Sequence, residues 1–360
     1  MPEETINTGM REDPILPAYK KTALLIGSYV MLIFLLRYAA VIVITLVDKA
    51  MDSARADATV NYITQLSASA LFLQILPSVI GAFMFRYIGN EGRSIKSFYT
   101  IPKSNTRAIG NFTAVYGFAH IFNLITIVVT YFLTSIFDFS KQLNTVADET
   151  SYGMGGALMT AFLLVVIAPI FEEFMFRGLI LNELKPYGNG LSIFVSGILF
   201  GIFHGNFQQC FYTTAFGIAL GYIANVTNSI FPTTIIHMIT NGIAAVTVLL
   251  MNTDSVQRFI LHGDQAEIPD SDMIWVAFYG IFMVSVLILI FVGFITAIMK
   301  IRQIKRYRTP KVWGEVKNGR KVGILLCTVP AIISMLMIID TYGGFSRSLI
   351  TSIIYGGDAG

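Results

Sequence analysis

Charge is scarce in this chain. Only 13% of its 360 residues are Asp, Glu, Lys or Arg, while 54% are hydrophobic. A soluble domain carries roughly 25% charged residues. This deficit excludes an ordinary cytosolic enzyme and a disordered protein. The 25 basic and 22 acidic residues leave a net charge of +3 and no basic domain to hold phosphates, so no nucleic-acid partner is expected. Cysteine is nearly absent. Cys210 and Cys327 both stand in apolar runs, too few and too far apart for a disulfide framework or a thiolate metal site. Histidine occurs four times. There is no His-Glu-x-x-His metal motif and no Gly-x-Ser-x-Gly nucleophile elbow.

Long apolar runs are what the chain has instead. A bilayer's hydrocarbon core takes about 20 apolar residues per helix. Runs of that kind lie at 23–47, 66–88, 112–136, 154–171, 191–208, 211–227, 230–251, 273–299 and 322–341. The run at 211–227 is the weakest, and 191–208 and 211–227 are barely separated. The expected fold is an all-α polytopic membrane protein with eight or nine transmembrane helices. No internal repeat or Pro/Gly linker marks a second domain, so 1–360 reads as one multi-pass domain. The polar segment 1–22 lacks a basic region and a cleavage site, which makes the first run a span and not a signal peptide.

Loop charge orients the spans. Arg86, Arg93, Lys96, Lys103 and Arg107 follow the second run. Lys300, Arg302, Lys305, Arg306, Arg308, Lys311, Lys317, Arg320 and Lys321 follow the eighth. Both segments are expected in the cytoplasm. Asp48, Asp52 and Asp57, then Asp138, Asp148 and Glu149, then Asp254, Asp264, Glu267, Asp270 and Asp272 fall on the other side. The N-terminus is then cytoplasmic. The simple pattern suits a bacterial cell membrane, with lipid as the surrounding partner, although an endoplasmic-reticulum protein would show the same pattern.

Ionisable groups inside hydrocarbon cost about 2.5–3.5 kcal/mol each on insertion scales, so each one needs a reason. The conspicuous polar residues in or at the ends of apolar runs are Arg37, Glu172, Glu173, Arg177, His204, His237 and Asn241. In the segment Phe171-Glu172-Glu173-Phe174-Met175-Phe176-Arg177, Glu173 and Arg177 stand at i and i+4 in the favoured acid-before-base order. Glu172 is turned about 100° away. One carboxylate thus has a built-in counter-ion. The other is a desolvated group suited to proton transfer. A charged helix end at the interface is the plainer alternative, which the interleaved phenylalanines disfavour. Phe200 and His204 share a face, and Gly197, Gly201 and Gly205 recur every four positions, a spacing that lets a neighbouring helix approach closely. His237 and Asn241 are again i and i+4. Interhelical hydrogen bonding alone would account for either pair. His120, between Phe118 and Phe122, reads as core packing, and His262 lies in an acidic loop.

Glu-Glu-x-x-x-Arg at 172–177, Phe-x-x-x-His at 200–204 and His-x-x-x-Asn at 237–241 occur in that order. Together they resemble the CPBP family of intramembrane endopeptidases. That family includes the eukaryotic CAAX prenyl endopeptidase and bacterial Abi-type proteins linked to abortive infection or bacteriocin immunity. The resemblance spans about 70 residues, within catalytic core helices at 154–251. It implies hydrolysis of a peptide bond in a membrane-associated peptide or protein by a glutamate-activated water. By position, Glu172 is then the general base, His204 holds the water, and His237 and Asn241 stabilise the oxyanion. Glu173, Arg177 and Phe200 support them. The resemblance favours a mechanism without a cofactor. A zinc-dependent version would use Glu172, His204 and His237 as ligands. A proton-coupled transporter would also need buried Glu, His and Arg, but it predicts paired inverted halves that this sequence lacks. A non-catalytic immunity or scaffold protein would tolerate loss of Glu172.

Overall fold

The computed structural model describes residues 15–54, 57–89, 98–101, 108–136, 153–205, 207–263, 267–304 and 318–355. Among them there are helices and no strands. Helix α1 is Ile15–Ser53, α2 is Ala58–Tyr87, α3 is Ala108–Ile136 and α4 is Gly153–Tyr187. Then come α5 (Asn189–Phe203), α6 (Phe207–Thr227), α7 (Phe231–Met251) and the short α8 (Asp254–His262). Helices α9 (Met273–Ile304), α10 (Asn318–Leu326), α11 (Val329–Gly343) and α12 (Phe345–Tyr355) complete the order. The chain is an all-α, multi-pass membrane protein.

The count of spans is lower than the apolar runs predict. Six helices among the described residues are long and apolar enough to cross a bilayer: α1, α2, α3, α4, α7 and α9. The pair α10–α11 makes a seventh if its 76° bend belongs to one span. Three physical causes account for the difference from eight or nine. Helix α5 stops after 15 residues because Gly205 takes a left-handed φ of +63°, a conformation that hydropathy does not register. At about 1.5 Å per residue it is shorter than a hydrocarbon core of about 30 Å. Helix α6 is long enough but carries Gln208, Gln209, Thr213, Thr214, Asn225 and Thr227. The last run, 322–341, is broken where the Thr328 hydroxyl caps α11 by accepting from the Ala331 amide and Pro330 opens the new helix. Several charges used to orient the loops lie outside the described residues: Arg93, Lys96, Lys103, Arg107, Asp138, Asp148, Glu149, Asp264 and those between 305 and 317. So does the polar N-terminal stretch up to residue 14.

Helix α4 is the hub. It packs on α2, α5, α6 and α7, while α1 closes over α2, α10, α11 and α12, and α3 pairs with α9. Two prolines distort the hub and its neighbour. A proline ring clashes with the carbonyl four residues earlier. Pro169 follows a π-helical turn at Leu163–Ile167, and Pro77 follows one at Leu71–Ile75. A third π-helical stretch, Phe174–Leu181, begins directly after Glu173. In lipid every backbone group displaced by such turns needs a partner. Side chains of neighbouring elements supply several. Asn241 donates to the Leu164 carbonyl (2.8 Å), Tyr99 to Ile170 (3.2 Å) and Ser196 to Phe176 (2.8 Å). Asn182 donates to both Arg177 and Gly178. Helix α4 is therefore held at an irregular geometry at the level of its two glutamates.

Helices α5 and α6 form a close hairpin through the glycine row. A Cβ at Gly197 would fall 2.5 Å from Ile218, and one at Gly201 only 1.9 Å from the Thr214 hydroxyl. The expected small-residue packing thus holds for the first two glycines. Gly205 serves instead as the helix terminator.

Candidate active site

The two adjacent glutamates sit at the end of the regular part of α4, both buried, with Glu173 and Arg177 fully so. Glu173 Oε1 accepts from Arg177 Nη1 at 2.8 Å, as the i, i+4 spacing predicts. The same oxygen accepts from His237 Nδ1 on α7 at 3.1 Å. Arg177 also donates from Nη2 to the Gly217 carbonyl on α6 (3.1 Å), and its guanidinium lies over the Phe200 ring at 4.4 Å. Buried charge is tolerable when paired and hydrogen-bonded. Here one carboxylate oxygen holds both a guanidinium and an imidazole, while Glu173 Oε2 and Arg177 Nε have no hydrogen-bond partner.

Glu172 points elsewhere, as its 100° rotation requires. Its Oε2 lies 3.8 Å from His237 Nε2, within ion-pair reach but beyond a direct hydrogen bond. A water can bond both groups across such a gap. His237 therefore links the two carboxylates, with Nδ1–H on Glu173 and Nε2 toward Glu172. The bond to Glu173 fixes the ring's orientation and, in the neutral ring, leaves Nε2 as the acceptor. Edge-on contacts with Phe200 (5.8 Å) and Phe216 (5.2 Å) seal the imidazole from two sides.

His204 stands at the C-terminal end of α5. Its Nδ1–H donates to the Phe200 carbonyl at 2.8 Å, and its ring meets the Phe200 ring edge-on at 4.9 Å. His237 and Arg177 are within electrostatic range of it. Arg37, on α1, reaches the same helix end. It donates from Nη1 to the Phe203 carbonyl (2.7 Å) and from Nη2 to the His204 carbonyl (3.2 Å). An intramembrane cation with no role in the sequence motifs is thus a cap on the helix that presents His204. A cation at a helix C-terminus also meets the negative end of the helix dipole.

Asn241 faces α4, like His237, but lands nine residues away from Glu173, on the Leu164 carbonyl of the π-helical turn. The structure thus gathers Glu172, Glu173, Arg177, Phe200 and His237 into one buried centre, with His204 adjoining through Phe200. Asn241 braces the wall behind it. Among the described residues, no group of three His, Cys, Asp or Glu side chains has an arrangement that would hold a metal ion, so Glu172, His204 and His237 do not form a ready ligand set. His120 packs on Tyr116 and Tyr212, in keeping with a core role. Cys210 and Cys327 are both free thiols.

One neighbour of Glu172 is not signalled by the motifs. Gln74, in the π-helical turn of α2, is within electrostatic range of the Glu172 carboxylate. The available signals were a lone glutamine inside the 66–88 run and the proline three residues on.

Residues 154–243 match the family model described as type II CAAX prenyl endopeptidase Rce1-like. The match begins in α4, ends in α7 and contains all three motifs. Comparisons with curated proteins and with solved structures gave no match. The segment that carries the buried glutamates, both motif histidines and Asn241 is a domain of the type II CAAX prenyl endopeptidase Rce1-like family.

Proposed function

We propose that this protein is an intramembrane endopeptidase of the glutamate type, acting on a membrane-associated peptide or protein. The observation that carries this reading is the relay Glu173–His237–Glu172, in which a buried carboxylate faces an imidazole held by a second carboxylate. Glu172 takes a proton from a water as the water oxygen attacks the scissile carbonyl carbon. His237 and one amide proton of Asn241 stabilise the oxyanion. The C–N bond then breaks, and Glu172 returns the proton to the leaving amine nitrogen, giving one acid and one amine. His204 holds the water, while Arg177 and Phe200 keep Glu173 in place. The mechanism as proposed needs no metal. Zinc on Glu172, His204 and His237 is the alternative, checked by metal analysis of the purified protein.

The proposed setting is a bacterial cell membrane with the N-terminus in the cytoplasm, on the strength of the loop charges. Counting α5 and α6 as two crossings or as one returning hairpin leaves the sides of all other helices unchanged. The catalytic core then occupies 154–251 of a single multi-pass domain.

The test uses the full chain in lipid nanodiscs with two quenched peptides, one a farnesylated CaaX sequence and one an unprenylated apolar sequence. Glu172→Gln should lower cleavage by about 100- to 10,000-fold, the usual contribution of a positioned general base. Thermal unfolding should stay close to wild type. Wild-type cleavage rates in the folded variant would overturn the reading.

A further inference from the structure

Residues 98–101 belong to no helix, yet they touch both helices that carry the buried centre. On α4, the Tyr99 hydroxyl donates to the Ile170 carbonyl at 3.2 Å, two residues before Glu172. The Phe98 ring packs on Phe174, directly after Glu173, with centroids 6.2 Å apart. At the corner that opens α7, the Ile230 amide donates to the Phe98 carbonyl at 2.9 Å. The buried Ser229 hydroxyl lies within hydrogen-bond reach of the Phe98 and Thr100 carbonyls. The three elements meet at Gly178 on α4, where an added Cβ would touch Phe98 at 3.6 Å and Ile230 at 3.7 Å. A short strap thus ties α4 to the start of α7.

What such a strap fixes is spacing. The relay runs between the same two helices, with Glu172 and Glu173 on α4 and His237 on α7. Ile230 stands one strap contact away from α4 and about 10 Å along the helix from His237. Packed interiors transmit strain over such lengths. Glu172 and His237 face each other across 3.8 Å, a gap one water can bridge, and a shift of about 1 Å would spoil it. The bond to Ile170 also bears on the shape of α4. That carbonyl accepts from the Phe174 amide as well, and a side chain entering the helical ladder bends it. The bend falls where the π-helical stretch begins, directly after Glu173. Packing alone would be met by phenylalanine, the residue at 98. At 99 the ring carries a hydroxyl, and the hydroxyl is what reaches α4.

We propose that Tyr99 is a positioning residue of the catalytic centre: through the strap it sets the spacing of α4 and α7 at which His237 bridges the two glutamates. Tyr99 takes no part in the proton transfers and touches no reacting atom. It acts through the backbone of α4, and Ser229 anchors the other end of the strap. The machinery of the site thereby extends to residues that precede the family-matched segment 154–243. This assignment rests on the peptidase reading above.

The test uses Tyr99→Phe, Ser229→Ala, the double variant and Glu172→Gln, each in the full chain in nanodiscs with the quenched peptides. Tyr99→Phe deletes one hydroxyl and keeps the ring, so thermal unfolding should stay close to wild type. Its kcat should fall by about 3- to 10-fold, the worth of a neutral hydrogen bond. KM should stay within about three-fold of wild type, as expected for a residue that acts on the reacting groups and not on the bound peptide. Ser229→Ala loosens the strap at α7 and should lower kcat by a similar factor. Both act through one strap, so the double variant should be no more than about two-fold slower than the slower single. Two independent structural losses would instead multiply. Wild-type kcat in Tyr99→Phe, a loss confined to KM, or multiplied losses in the double variant would each overturn the assignment. With Glu172→Gln inactive, any of these leaves the peptidase reading intact. Retained cleavage in Glu172→Gln would remove that reading and this role with it.

Discussion

His237 Nδ1 lies 3.1 Å from the same Glu173 oxygen that holds Arg177 at 2.8 Å. Glu173 is thus more than a counter-ion within its own helix. It ties α4 to α7 and sets which way the imidazole presents Nε2 to Glu172. The two adjacent glutamates divide the work: one shapes the histidine, the other faces it.

Replacing Glu173 should therefore damage two properties that can be measured apart. Glu173→Ala leaves Arg177 buried without its carboxylate, a loss of about 3–5 kcal/mol for a broken buried pair. It should unfold at clearly lower temperature in detergent. Glu173→Gln keeps an acceptor for both partners and should be far closer to wild type in unfolding. Its cleavage rate should still fall by about 10-fold or more, because a neutral amide holds and orients the His237 ring less firmly than a carboxylate does. Equal activity of Glu173→Gln and wild type would remove Glu173 from the relay.

Asn241 makes a different prediction. Its amide satisfies a carbonyl that the π-helical turn leaves open. Asn241→Asp has no amide donor and places a carboxylate against that carbonyl, so it should cost stability of about 1–3 kcal/mol as well as activity. Asn241→Gln can still donate, though from one methylene further away. Because Asn241 both braces α4 and binds the oxyanion in the proposed mechanism, Asn241→Gln should recover stability more than kcat. Stability and activity that fall together across the two variants would confine Asn241 to bracing α4. Thermal unfolding and cleavage kinetics on the same preparations separate the two.

Much of the centre is legible in the sequence because helices have a period. Glu173 with Arg177, and Phe200 with His204, sit four residues apart and meet as the spacing requires. What is hidden is of two kinds. Contacts between distant segments, such as Glu173 with His237 across 64 positions, have no spacing to read. Contacts to backbone carbonyls are equally silent, since every residue carries one. Arg37 stands out as a charge in an apolar run, yet its partners are the carbonyls of Phe203 and His204. Hydropathy also reads straight through Gly205, which is why 191–208 looks like a full span while α5 ends at Phe203.

Arg37 and Gly205 should behave as a coupled pair. Gly205 has a left-handed φ of +63°, and a Cβ there would fall 2.3 Å from Arg37 Nη2. Gly205→Ala thus carries two penalties, backbone strain of about 1 kcal/mol or more and displacement of the guanidinium from the α5 carbonyls. Arg37→Ala alone leaves those two carbonyls without their donors, a cost of about 1–3 kcal/mol. In the double variant the steric conflict no longer exists, so only the strain and the lost cap remain. The double variant should be less destabilised than the sum of the singles by about 0.5–3 kcal/mol, the range for residues in direct contact. A double-mutant cycle by thermal unfolding in detergent measures this. Because the pair fixes the helix end that presents His204, cleavage should follow the same non-additive pattern, and strictly additive losses would show that Arg37 and Gly205 act on the site separately.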